Sequence, residues 1–288
     1  MKENFFVKSH GLGNDYIVLD KDLLTFSLNE RAIKTICDIH YGIGSDGILL
    51  KVPSKKADFG LRIFNPDGSE AEKSGNGLRI FCKFLFDYGY TKEKEFTVET
   101  KGGIVKAKIE KEVNGKAKVI TVDMGKAIFE AEKIPVISNK KECIGEKIKI
   151  EDKEFEINCV SVGNPHCVII VDNLPSEEEV KKYGSLIEKN SMFPNRINVQ
   201  FVKPIDKNKA EIRIWERGAG YTLASGSSSC AVASVLTKKG LSDGNIEINM
   251  PGGALTIQID KNWNIKMTGE VQEICFGNLS NELIDSLP

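Results

Sequence analysis

The feature that most constrains this chain is a repeat of its own sequence at one spacing. The segment LRIFNPDGSEAEKSGNGLRIF, Leu61 to Phe81, has a partner in IRIWERGAGYTLASGSSSC, Ile212 to Cys230. Arg62 and Arg213 stand 151 residues apart, as do Ser74 and Ser225, and Gly89 and Gly240. Gly13-Asn14 and Gly163-Asn164 keep an offset of 150, as do Gly102-Gly103 and Gly252-Gly253. Chance is a poor explanation for five anchors that agree within one residue. Two copies are too few for a solenoid, which buries its core by stacking three or more units. The repeat therefore predicts two similar halves. Duplicated halves commonly pack face to face about a pseudo-twofold axis. Equivalent loops then meet, which is a common place for a ligand site.

The local pattern gives each half strands and a few helices. YIVLD and GLRIFN read as strands ended by polar turns. LNERAIKTICDIHY carries apolar residues at helical spacing. KEFTVETKGGIVKAKIEKEVNGKAKVITVDMG reads as hairpins turned at Gly-Gly and Asn-Gly. SEEEVKKYGSLIEKN predicts a helix, with Ser176 as N-cap and acids in its first turn. NIEINMPGGALTIQIDKNWNIKMTGEV again reads strand, turn, strand. SNKKECIGEKIKIEDKE is expected to connect the halves or form an edge hairpin, and its lysines to form a solvated face.

Each half also builds a helix start from a serine and small residues. Ser74 precedes Gly75-Asn76-Gly77, and Ser225 precedes Gly226-Ser227. A helix N-terminus offers unpaired N–H groups and a partial positive charge, which suit a carboxylate. Small residues let a ligand approach the backbone. Two such starts, facing each other across a cleft, would hold one small anion with a hydroxyl on either side. That layout suits inversion at an α-carbon: one group removes the proton and the other returns one to the opposite face. Cysteine performs such work when a helix start lowers its pKa. A serine hydroxyl is a much weaker acid.

Other classes are disfavoured. The formal net charge of −1 gives no electrostatic case for nucleic acid or an anionic membrane surface. No apolar run reaches the roughly 20 residues of a membrane span, and MKENFFVKSHG lacks a signal-peptide h-region. The cytoplasm is the expected location. The seven cysteines are unevenly spaced without a CxxC pair, and the three histidines are scattered. Reduced thiols and no metal are expected. GLGND and GIGSDG lack the dinucleotide spacing, so no cofactor is expected.

The motifs HGLGNDYIVLD, YGIGSDGILL, FNPDGSEAEKSGNGLRIF, GNPHCVIIVD, NRINVQFV and WERGAGYTLASGSSSCA come in an order that resembles the diaminopimelate epimerase family. The resemblance covers nearly all 288 residues. It implies an α/β (α+β) fold of two pseudo-twofold-related domains, each a curled β-sheet around a central helix. The halves would be 1–123 plus 271–288 and 124–270, with the active site in the cleft between them. It implies a cofactor-independent isomerase that interconverts LL- and meso-diaminopimelate by two-base proton transfer, in lysine and peptidoglycan-precursor synthesis, and a homodimer. Ser74 and Ser225 match the family's two catalytic cysteines, with His166 and Glu216 beside the catalytic positions. Asn14, Asn65, Asn164, Asn198, Glu216 and Arg217 match its substrate-binding residues. Gly75, Asn76, Gly226 and Ser227 would present backbone N–H groups to the α-carboxylate. The sequence departs from the family at both cysteines. Tyr221 stands where the family usually has Glu, and SGSSSC replaces a Cys-Gly-Thr-Gly type of start. Three other readings follow from that departure: a Cys→Ser double variant of an active epimerase, an amino-acid-binding relative without activity, or a racemase of another amino acid.

Overall fold

The computed structural model describes residues 2–287. The chain divides into two compact units. The first runs to Val122 and resumes at Gly269, and the second is Asp123–Thr268.

The first unit opens with β1 (Phe5–Gly11), β2 (Asn14–Asp20), α1 (Glu30–Cys37), β3 (Ile48–Val52), β4 (Phe59–Phe64) and β5 (Glu70–Ala71). The helix α2 (Gly75–Asp87), β6 (Glu95–Thr100), β7 (Gly103–Val113) and β8 (Lys116–Lys126) follow. The second unit carries β9 (Ile144–Ile150), β10 (Lys153–Ser161), β11 (Pro165–Ile170), α3 (Glu177–Glu188), β12 (Asn198–Asp206) and β13 (Lys209–Glu216). It continues with β14 (Gly220–Thr222), α4 (Gly226–Lys238), β15 (Asn245–Met250), β16 (Gly253–Ile259) and β17 (Asn264–Glu270). The chain then returns to the first unit with β18 (Gln272–Asn278) and α5 (Asn281–Ser286). The unit boundaries fall within β8 and just before the end of β17.

Strand pairing repeats between the units. In the first, the order is β18–β1–β2–β3–β4–β6–β7–β8, parallel at β2–β3 and β4–β6 and antiparallel elsewhere. In the second, it is β9–β10–β11–β12–β13–β15–β16–β17, parallel at β11–β12 and β13–β15 and antiparallel elsewhere. The short strands β5 and β14 add to β4 and β13 in the same way. One difference stands out. The second unit takes its first strand, β9, from residues just before β10. The first takes β18 from near the end of the chain.

Each sheet curls around one helix. α2 packs on β1, β2 and β7, and α4 on β10, β11, β12, β15 and β16. Ten of the 13 residues are buried in both helices, so neither has a solvent face. A helix buried all round must satisfy its polar side chains internally. In α4, Ser229, Ser234 and Thr237 donate to the carbonyls four residues back. In α2, Lys83 pairs with Asp87 and donates to the Ala117 carbonyl. Both helices stop at a glycine in the left-handed region, Gly89 at φ +76° and Gly240 at φ +73°.

The outer helices cover the convex sides. Ile33 and Ile36 of α1 join Ile17, Leu19, Ile48, Phe64 and Leu279 in one core. Val180, Tyr183 and Ile187 of α3 join Ile157, Val199 and Phe201 in another. α1 is shorter than its apolar pattern suggests. Asp38 turns extended and its carboxylate accepts from the His40 and Tyr41 amides, so Ile39 and Tyr41 point outward. The lysine-rich stretch around Cys143 forms the β9–β10 edge hairpin. Among the described residues, no helix is long and apolar enough to cross a membrane.

Candidate active site

In the first unit, Ser74 is the N-cap of α2. Its backbone is extended, and its Oγ accepts from the Gly77 amide at 3.1 Å. The N–H groups of Gly75 and Asn76 lie in the first turn, where helix geometry leaves donors without an intrahelical acceptor. No acid occupies that turn to neutralise its partial positive charge. The Tyr16 hydroxyl lies 3.3 Å from Ser74 Oγ. Gly77 keeps this corner open, since a Cβ there would sit 3.2 Å from Ser74 Oγ. A chain of donors runs beside it. Buried Arg79 donates to Asn76 Oδ1 at 2.8 Å, Asn76 donates to Asn14 at 3.2 Å, and Asn14 donates to Asp46 at 2.9 Å. Asn65 lies apart from that chain, with its amide bound to Ser69 in the β4–β5 turn.

In the second unit, Ser225 caps α4 in the same way, 5% exposed, with its Oγ accepting from the Ser228 amide at 3.4 Å. It differs from Ser74 in having a carboxylate partner. Ser225 Oγ donates to Glu216 Oε2 at 3.0 Å. Burial raises the Glu216 pKa above the ordinary carboxylate value, against the opposing hydrogen bonds from Thr222 and Ser225. Asn65 occupies the matching place in the first unit's repeat and is neutral. Ser227 Oγ lies 3.5 Å from Ser225 Oγ, and Asn164 donates to Ser227 at 3.5 Å. His166 Nε2 is 2.9 Å from Asn164 Oδ1.

Two of the expected ligand groups are already engaged. Asn198 is buried, donating to the Pro165 carbonyl and accepting from the Arg217 amide. It fixes the chain on which the exposed Arg217 guanidinium sits, itself bonded to the Asn195 carbonyl. His166 is fully buried, and desolvation lowers its pKa to about 3. It is a neutral ring within the fold rather than a charged acid at the surface. Tyr221 packs its ring against the apolar cluster under α3, which a Glu in its place would leave.

Five further participants, Tyr16, Asp46, Arg79, Gln200 and Ser228, lie inside the family motifs, but residue type and spacing alone give them no role. Arg79 is the most legible in retrospect, a cation inside the apolar run LRIFCKFL. Such a group is buried only when hydrogen-bonded.

The repeated strand order, with one buried helix against each sheet, is a fold already seen in solved structures. Two solved structures show that fold. A hydroxyproline epimerase from Agrobacterium vitis aligns at TM-score 0.71 with 14% identity, covering 96% of this chain and 90% of its own. A methylitaconate-delta-isomerase aligns at 0.69 with 14% identity, covering 97% and 96%. The diaminopimelate epimerase family model matches residues 6–130 and 158–274, and the chain belongs to that family. Diaminopimelate epimerase 2 of Nostoc sp. is 50% identical over 279 residues, with 96% of each chain covered. The diaminopimelate epimerase of Acetivibrio thermocellus is 42% identical over 280 residues, covering 96% of this chain and 99% of its own.

Proposed function

We propose that this chain is an amino-acid isomerase of the diaminopimelate epimerase type, interconverting the LL and meso forms of diaminopimelate. The observation that carries the reading is the Ser225–Glu216 pair at the start of α4, which supplies the basicity that serine alone lacks. In the proposed step the α-carbon–hydrogen bond breaks and its proton goes to Ser225 Oγ as the serine proton passes to Glu216. The electron pair is held on the α-carbon and its carboxylate, stabilised by the N–H groups of Gly75, Asn76, Gly226 and Ser227. Ser74 then returns a proton to the opposite face. Tyr16 donates to the Ser74 oxygen that this leaves behind. Arg217, Asn14, Asn65 and Asn164 hold the ammonium and carboxylate groups, and Asn198 holds Arg217 in place. His166 serves through Asn164 rather than by direct proton transfer. No cofactor enters this scheme. A cytoplasmic homodimer completes the reading, with free thiols at all seven cysteines supporting a reducing compartment.

One observation favours a second reading. Asn65, the counterpart of Glu216 in the first unit, gives Ser74 no carboxylate base. An amino-acid-binding protein without turnover would keep the rest of the site. Incubation with LL-diaminopimelate in heavy water separates the two. Loss of the α-proton signal with formation of the meso isomer is expected for the chain as it stands. The Ser74→Cys, Ser225→Cys double variant should be faster by about 10²-fold or more. Saturable binding without exchange in the parent supports the second reading. No exchange and no binding in either protein rejects the substrate.

A further inference from the structure

Behind Ser225, the second unit buries polar side chains that the proton-transfer scheme does not use. His166 on β11 pairs with Asn198 on β12, so Gln200 follows two residues along on the same face. Both side chains are fully buried and close enough to interact. Yet His166 Nδ1 and Gln200 Oε1 are each without a well-aligned partner. Gln200 Nε2 lies 3.0 Å from the Oγ of Ser228, also fully buried. Burial keeps the ring neutral, so it carries one proton.

Two arrangements are open to that proton. With the proton on Nδ1, the ring donates to Gln200 Oε1, and Ser228 receives from Gln200 but has no acceptor for its own hydrogen. Asn164 must also turn its amide toward the ring. With the proton on Nε2, the ring donates to Asn164 Oδ1 where that oxygen already lies. The Gln200 amide then needs only a half-turn. Its nitrogen donates to His166 Nδ1 and its oxygen accepts from Ser228. The two ends of an amide have the same shape, so the half-turn costs no packing. Each arrangement turns one amide and gives both orphaned atoms a partner, but only the second also gives Ser228 an acceptor.

The first unit offers an internal comparison. At the places corresponding to His166, Gln200 and Ser228 it has Tyr16, Leu49 and Gly77. A Cβ on Gly77 would lie 3.0 Å from Leu49 Cδ2, so that contact is apolar. The fold itself does not need a polar pair there. Only the unit that carries His166 and Glu216 has one.

We infer that Gln200, held by Ser228, is a positioning residue that fixes His166 as its Nε2–H tautomer. This rests on the reading of Ser225 as a proton-transfer group. The tautomer orients everything beyond it. The ring donates to Asn164, Asn164 donates to Ser227, and Ser227 donates to Ser225, whose only remaining direction is toward Glu216. With the ring reversed, the Ser227 hydroxyl turns to Asn164, and Ser225 is no longer committed to the carboxylate.

The test is the tautomer itself, read by long-range proton–nitrogen correlation on protein labelled with 15N-histidine. His10→Gln and His40→Gln variants assign the His166 signals. The expected result is a neutral ring, protonated at Nε2 and bare at Nδ1, unchanged between pH about 5 and 8. Gln200→Glu places an acceptor-only group beside Nδ1 and should move the proton there, with slower α-proton exchange. A parent ring protonated at Nδ1, or charged in that range, overturns the inference. So does a Gln200→Glu ring that stays protonated at Nε2. If that variant does not fold, the parent spectrum alone decides. An Nε2–H ring in a parent that exchanges no α-proton supports the positioning of His166 and rejects the functional reading instead.

Discussion

Glu216 is a carboxyl held where its charged form is disfavoured. Burial raises its pKa above the ordinary 4.5. The folded state thus binds this proton more tightly than the unfolded chain does. Its contribution to stability is full below the ordinary value and is lost as pH rises through the raised one. Glu216→Gln keeps the shape and removes the charge. At pH 7 it should be at least as stable as the parent in urea melts, with the advantage gone below pH about 4. α-Proton exchange should fall by about 10²-fold or more. In the parent, exchange should decline on acidification with a midpoint above 4.5, as Glu216 takes up a proton. A less stable variant at pH 7, or one with undiminished exchange, contradicts this account. Glu216 could be read from its motif, because it lies only nine residues before Ser225. Gln200 could not. Its partners Ser228 and His166 are 28 and 34 residues away, and only strand pairing brings them to it.

The two central helices and α3 start on the same device, a serine that caps an amide two or three residues into the helix. In α3, Ser176 and Glu179 cap each other reciprocally on the surface. Ser176→Ala should cost about 1 kcal/mol of stability by denaturant melts and leave α-proton exchange unchanged. Ser74→Ala should cost a similar amount and abolish exchange, while Ser74→Gly should cost only a few tenths of a kcal/mol and abolish it too. If Ser74→Ala exchanges at the parent rate, Ser74 is a cap and no more. The capping signals were legible because they are local: a serine, an extended backbone and an amide within one turn. The early end of α1 was not, because the apolar pattern continues past Cys37. An Asp38 turn, whose carboxylate takes the His40 and Tyr41 amides, wins over the pattern.

At the scale of the molecule, the first unit depends on residues from the far end of the chain. β18 pairs with β1 from Phe5 to His10, and Leu279 is buried in the core with Ile17 and Ile48. Truncation after Glu270 removes that strand and leaves the edge of β1 unpaired. Hydrogen exchange should then show β1 and β2 amides losing protection while β10 to β13 keep theirs. Unchanged protection of β1 would mean that the strand is dispensable.

By itself, the sequence determined the repeat, the helix starts, the capping serines and the family motifs, since each is a matter of residue type at fixed covalent spacing. The tertiary structure decided which strand closes each sheet, that His166 is a neutral interior ring, and that Glu216 holds its proton above the usual range. Those properties depend on desolvation and on hydrogen bonds between residues far apart in the chain. Neither exists until the sheets have curled around α2 and α4.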